Sequence, residues 1–214
     1  MSKGRVAAGS GTKRVIVVAG EDSNDRAVMT SLLRERLDFS GKIVSINGPV
    51  AVKDATGTNL SSRVAKVVGK AKAMAVKEQG HLHGLVVHLD LDAVHGEYYD
   101  TVRARLRSEF EARCPARLAL ALAVWETESW LLLFPDAFPR VHAGWKVPQQ
   151  LRGKDTGLIR NPKEELQHRL GKPRYCETDS PAVMRAAVST DPTPVKQVGT
   201  NRSYRDFLAD LQGW

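Results

Sequence analysis

Apolar and polar positions change period several times along the chain, and each change marks an element. Arg14-Val15-Ile16-Val17-Val18-Ala19 is a short β-branched run that stops at Gly20, the pattern of a strand buried on both faces. Ser23 or Asn24 is placed to cap a helix whose apolar stripe is Val28, Leu32, Leu33 and Leu37. Gly41 ends it, and Lys42-Ile43-Val44-Ser45-Ile46 reads as a second strand closed by Asn47-Gly48-Pro49. Ser61 or Ser62 opens a second helix, with Val64, Val67, Val68, Ala71 and Met74 on one side and Lys66, Lys70, Lys72 and Lys77 on the other. Leu85-Val86-Val87-His88-Leu89 predicts a third strand running into Asp90-Leu91-Asp92. A third helix over 97–113 sets Tyr99, Val102, Leu106 and Phe110 on one stripe, leaving Tyr98 off it. Residues 117–124 form a fourth apolar run, followed by Trp125-Glu126-Thr127-Glu128-Ser129-Trp130.

Strand and helix alternating at this spacing predict an α/β fold. The expected core is an open, mostly parallel, Rossmann-like sheet of about four strands with helices on both faces. Past Phe134 the texture changes, for eight of the ten prolines lie there. Long elements cannot run through such spacing, so short helices are expected at 162–170, 181–189 and 202–212. The predicted organisation is a disordered basic tail over 1–12, the α/β core over 13–134, and a helical and irregular extension over 135–214 laid on that core.

Composition narrows the function classes. No apolar run approaches the ~20 residues that cross a bilayer. The opening Met-Ser-Lys-Gly-Arg lacks the apolar segment of a secretory leader. A cytoplasmic protein with no membrane partner is therefore expected, with Cys114 and Cys176 as reduced thiols too few for a disulfide scaffold. The net charge of +8 is uneven: residues 1–80 carry +7, residues 81–145 carry −3 and residues 146–214 carry +4. An acidic centre between basic flanks suits a metal-dependent enzyme acting on a polyanion.

The acids fall at definite places. In an open α/β sheet, ligands bind beyond the carboxyl ends of the strands. Glu21 and Asp22 follow the first strand, Asp90 and Asp92 the third, and Glu126 and Glu128 the fourth. Carboxylates crowded at one edge repel unless a cation or a shared proton compensates. Oxygen ligands of this kind suit Mg²⁺ or Mn²⁺. An extended Asp90-Leu91-Asp92 would point both carboxylates the same way. Lys13, Arg14, Lys53, Arg152 and Lys154 are candidate phosphate contacts. His81 and His83 precede the third strand as read here, at the far edge from the acids, and with His88 are expected to be ordinary histidines. His95, just past Asp92, is better placed to assist proton transfer. Trp125 and Trp130 are expected to bury against the sheet.

The order Glu21, Asn47-Gly48, Asp90-Leu91-Asp92 resembles the Toprim domain, the catalytic fold shared by topoisomerases and primases. More narrowly, Glu128-Ser129-Trp130-Leu131-Leu132, Pro162-Lys163 and an aromatic last helix (Tyr204, Phe207, Leu208, Leu211) resemble small bacterial RloB-like and related Toprim-like proteins, often linked with defence loci. The resemblance spans about residues 13–212. It implies Mg²⁺- or Mn²⁺-dependent phosphodiester hydrolysis of nucleic acid, with Asp90 and Asp92 on the metal and Glu21 as a further ligand or general acid/base. Glu128 is the favoured additional ligand, with Glu126 the alternative. A partner ATPase or other defence-complex subunit is a further implication. No separate domain supplies the nucleophilic tyrosine of a topoisomerase.

Two other readings compete. Leu89-Asp90-Leu91-Asp92-Ala93-Val94 also resembles the opening motif of haloacid-dehalogenase-like phosphatases, in which the first Asp attacks phosphate. A non-catalytic basic subunit binding nucleic acid or a partner protein would show salt-sensitive affinity without turnover. No Gly-x-Gly-x-x-Gly follows the first strand, which excludes the dinucleotide-binding fingerprint.

Overall fold

The computed structural model describes residues 12–48, 50–191 and 193–214. All of the predicted tail but residue 12 lies outside the described residues, as do Pro49 and Pro192. Four parallel strands form one open sheet in the order β2-β1-β3-β4: β1 (Lys13–Ala19), β2 (Lys42–Ser45), β3 (Gly80–Asp90) and β4 (Arg117–Ala123). The order reverses at β1. Right-handed crossovers then require the first connecting helix on one face and the next two on the other. Accordingly α1 (Ser23–Arg36) packs with Ile16, Val18 and Val86, whereas α2 (Gly57–Lys77) and α3 (Glu97–Glu111) pack with Val15, Val17, Leu85 and Val87. The strands are apolar at successive positions because both faces are covered.

The rest of the chain joins the face of α1. It holds α4 (Glu128–Leu131), α5 (Phe138–Val141), α6 (Pro162–Arg169), α7 (Ser180–Val188) and α8 (Arg202–Asp210). Pro162 and Pro181 sit in the first turns of α6 and α7, where a missing N–H is harmless. The alternation in β4 explains how this layer fits. Leu118, Leu120 and Leu122 face the α3 side, and Ala119, Ala121 and Ala123 face the α8 side. The alanine face leaves room for Trp130, which stacks on Phe207 at 5.4 Å and meets Tyr204 edge-on at 5.4 Å. Trp130 Nε1 donates to Ser203 Oγ at 2.8 Å, and Asn201 caps α8 by accepting the Tyr204 N–H at 3.1 Å. Gly84 serves the same layer, since a Cβ there would lie 2.3 Å from the Trp214 ring.

Several expectations shift. Asp22, not Ser23 or Asn24, caps α1 through a 2.9 Å bond from the Asp25 N–H. Helix α2 begins at Gly57 rather than near Ser61, because Thr56 is the last extended residue and serves as the N-cap, and Leu60 extends the buried apolar stripe by one turn. Strand β3 starts at Gly80, so His81 and His83 lie inside it, His81 opposite Arg14 of β1 and His83 at the register shift between Val15 and Ile16. Their polar side chains had masked a strand that β1 continues to template. Tyr99 is buried and Tyr98 half exposed. Cys114 and Cys176 are both free thiols. Among the described residues no helix is long and apolar enough to cross a membrane.

Asp210 ties α8 to α3 and β4. It accepts from Arg103 (2.7 Å), from Arg107 and from the Leu120 N–H (3.0 Å), and its side chain is only 11% exposed. Removing one partner of such a buried network leaves uncompensated cations and an unpaired N–H. Asp210→Ala should therefore lower the unfolding free energy by about 3 kcal/mol, read as a lower urea midpoint with unchanged slope.

Candidate metal centre at the carboxyl edge of the sheet

The strand period of two places His88 and Asp90 on the same side of β3, the side covered by α1. Asp25 stands in the first turn of that helix, held there by the Asp22 cap. The result is a cluster of Asp25, His88 and Asp90 whose ligand atoms lie within 4.8 Å of one another. Asp25 Oδ2 is 3.5 Å from His88 Nδ1, and Asp90 Oδ1 is 3.7 Å from His88 Nε2. His88 is fully buried and Asp25 nearly so, while the Asp90 side chain keeps 23% of its surface. The cluster thus opens to solvent through Asp90.

Thr127 fixes the imidazole. Its hydroxyl lies 2.9 Å from Asp25 Oδ1 and 2.8 Å from His88 Nε2. One hydroxyl has one proton. Donated to the carboxylate, it obliges Nε2–H to donate to Thr127, which leaves the Nδ1 lone pair facing Asp25. Nδ1 is buried and has no hydrogen-bond partner. Burial pushes the His88 pKa down, against the opposing pull of Asp25 and Asp22, so a proton does not readily fill that gap. A metal ion held between Nδ1 and Asp25 would, with Asp90, whose Oδ1 lies 3.7 Å from Nε2, bordering it from the open side.

The surrounding charge points the same way. Burial, then Asp25, Glu128, Glu21 and Glu126, push the Asp90 carboxyl well above its usual range. Among the described residues neither Asp25 nor Asp90 pairs with a Lys or Arg. The donor set, one imidazole and two carboxylates, fits a divalent first-row ion.

The other sequence candidates sort by position. Glu21 carries a raised pKa because burial and then the acids Asp25, Asp92 and Asp22 outweigh the lowering by Lys53. Asp92 does not continue the strand. It has a left-handed φ of 56°, its N–H donates to the Trp125 carbonyl, and its 67% exposed carboxylate pairs with Lys53. The expected parallel pair of Asp90 and Asp92 carboxylates is therefore absent: β3 ends at Asp90, and the turn sends Asp92 outward. Glu128 opens α4, is 3% exposed, and accepts from Tyr175 and Ser180 hydroxyls at 3.0 Å each. Its pKa rises to about 7, chiefly through burial. Glu126 instead pairs with Lys163 at 3.1 Å, and Asp22 and Glu177 stand close enough to shift one another's pKa.

Lys53 alone of the proposed phosphate contacts is tied to these acids. Lys13 and Arg14 begin β1, at the opposite edge, where Arg14 lies over Phe39 at 5.1 Å. Arg152 pairs with Asp136 at 2.8 Å, and exposed Lys154 is met through its carbonyl by the Thr200 N–H. His95 turns to Asp155 at 3.9 Å rather than to the cluster. Trp130 is buried; Trp125 is half-buried with Arg160 over its ring.

Asp25, His88 and Thr127 are the residues that sequence reasoning missed. For His88 a usable sign existed, since His88 and Asp90 are two apart in a strand. Asp25 gives no such sign, because its helix position depends on Asp22 being the cap.

Glu128 supplies a pH test. With its folded pKa raised to about 7, its stabilising protonated state is fully present below the unfolded value and lost as pH rises through about 7. Glu128→Gln keeps the acceptor oxygen without the charge. In EDTA its stability relative to the parent should climb by up to about 3 kcal/mol between about pH 5 and about pH 9, measured by urea unfolding; a flat difference would contradict the burial of an ionisable Glu128. Compared with known proteins, the chain matches no family model, no curated protein and no solved structure, so its functional reading rests on this cluster.

Proposed function

We propose that the chain is a divalent-metal-dependent phosphodiester hydrolase acting on nucleic acid, with Asp25, His88 and Asp90 as its metal ligands. The observation carrying this reading is three ligand side chains within 4.8 Å, bordered by further acids and lacking a Lys or Arg partner for either aspartate among the described residues. Buried negative charge of this density is stabilised by a cation. A bound metal would neutralise charge developing on phosphate and acidify an attacking water.

The chain's own groups divide the remaining tasks. Thr127 orients His88 so that the Nδ1 lone pair faces Asp25. An imidazole in the set favours Mn²⁺ over Mg²⁺, which prefers an all-oxygen shell. Glu21, half-buried with a raised pKa, is the carboxylate placed to accept a proton from an attacking water. Lys53, held by Asp92, places a cation beside that carboxyl for a substrate phosphate. The Toprim resemblance supports the same chemistry through Glu21 and Asp90, with Asp92 here positioning Lys53. The net charge of +8 favours a polyanionic substrate. A role in bacterial defence or repair, with a partner ATPase, rests on the resemblance alone.

The test uses Mn²⁺ titration by calorimetry together with cleavage of supercoiled plasmid and of RNA in Mn²⁺, Mg²⁺ or EDTA. Asp25→Asn/Asp90→Asn should weaken Mn²⁺ binding about 100-fold and abolish cleavage, with Mn²⁺ the better activator for the parent. Cleavage that survives EDTA or the double substitution rejects the site. Salt-sensitive binding with no turnover under any metal would leave a non-catalytic nucleic-acid-binding subunit.

A further inference from the structure

Helix α2 carries five cations and no acidic side chain over its 21 residues. Arg63, Lys66 and Lys70 recur at three- and four-residue spacing, so they share one stripe. With Ala51, Val52, Val67 and Gly69 they line a cavity of about 390 Å³. Among the described residues, neither Lys66 nor Lys70 has a carboxylate partner, and both are exposed. The Lys70 ammonium lies over the turn after β2, 3.6 Å from where a Gly48 Cβ would be.

Gly69 is a second, separate observation. A glycine inside a helix is less favourable than alanine. A Cβ at this position would meet nothing within 4 Å, so no neighbour in the fold requires the missing side chain. The glycine leaves its part of the cavity lining without a side chain.

One wall of the cavity, Ala51 and Val52, leads directly into Lys53 at the carboxyl edge of the sheet. Arg63 donates to the Ala51 carbonyl and Arg105 to the Lys53 carbonyl, so two arginines hold the segment that carries Lys53. Lys53 in turn stands at Asp92 and Glu21. A line of positive charge therefore runs from Lys70 along α2 to the acids. Arg63 to Lys70 spans about 10 Å of helix, with Lys66 between them.

We propose that this trough is a strand-binding track, in which Arg63, Lys66 and Lys70 hold successive phosphates of a nucleic acid and Lys53 passes the strand to the metal cluster. The occupant's identity rests on the nuclease reading; the track itself rests on α2. The test is fluorescence polarisation of the full chain with a labelled 20-nucleotide single strand, in EDTA so that nothing is cleaved. Lys66→Gln/Lys70→Gln should weaken binding at least tenfold and make the slope of log K against log salt shallower by about 1.4, two contacts at about 0.7 each. Gly69→Gln, which raises helix propensity while adding a side chain to the lining, should weaken binding at least fivefold with no loss of thermal stability. Lys72→Gln removes one charge from the same helix outside the stripe and should change affinity less than twofold. Asp25→Asn/Asp90→Asn should bind the strand at least as well as the parent, which separates failure of the catalytic reading from failure of the track. Parent-like affinity in Lys66→Gln/Lys70→Gln, a Lys72→Gln loss equal to that of Lys70→Gln, or equal competition by inorganic phosphate or an acidic peptide at matched charge would overturn the track.

Discussion

Two buried carboxylates set against one neutral imidazole govern the architecture of this edge of the sheet. Asp25 and Asp90 approach His88 from different elements, and neither can be moved away without breaking something else. Asp90 is fixed by the register of β3 on β4, which runs through Asp90 and Ala123. Asp25 is fixed by the cap that starts α1. His88 lies within a central strand, fully buried, and its orientation is set by Thr127. Desolvation at such a place favours neutral groups, yet the sequence supplies several acids and no neutralising Lys or Arg for these two among the described residues. That conflict is local, and local conflicts with the rest of the fold are expected where function resides.

Much of the fold was legible because its physics is local. The β-branched runs of β1 and β3 and the Leu-Ala alternation of β4 announce strands through their own periodicity, and the prolines announce the short α6, α7 and α8 by forbidding anything longer. The parts that were not legible depend on partners distant in sequence. His81 and His83 look like a loop on their own and become strand because β1 runs alongside. Asp92 looks like the second half of an extended pair, but its backbone turns left-handed as its N–H is taken by the Trp125 carbonyl. The candidate site divides in the same way. Glu21, Asp90, Glu126 and Glu128 were readable as acids at strand ends, since the rule concerning open sheets needs only strand order. Asp25 was not, because a helix's first turn can rotate any of several residues inward, and only the Asp22 cap decides which.

The proline-rich second half of the chain belongs to this chemistry rather than to a separate layer. Tyr175 and Ser180 supply the hydroxyls that bond buried Glu128, Lys163 holds Glu126, and Glu177 stands beside Asp22. Each of these donors or partners comes from beyond residue 160. Without them the acids following β1 and β4 would face water, with pKa values nearer the ordinary carboxylate range and less reason to gather a cation.

In the proposed reading the sheet separates two duties. On one face α1, α4 and α7 enclose the acids in a largely buried, hydrogen-bonded setting, where the field of a small ion is strong. On the other face α2 presents cations that remain exposed and carry no carboxylate on the same helix, a setting suited to a long polyanion exchanging counterions with solvent. The two kinds of site tolerate different dielectric surroundings and would interfere if mixed: lysines among Asp25 and Asp90 would replace the metal, and acids along α2 would repel phosphate. They meet only at the carboxyl edge, where the strand order reverses and Lys53 of one connection touches Asp92 of another. A parallel sheet with its reversal at β1 provides that meeting point by topology alone.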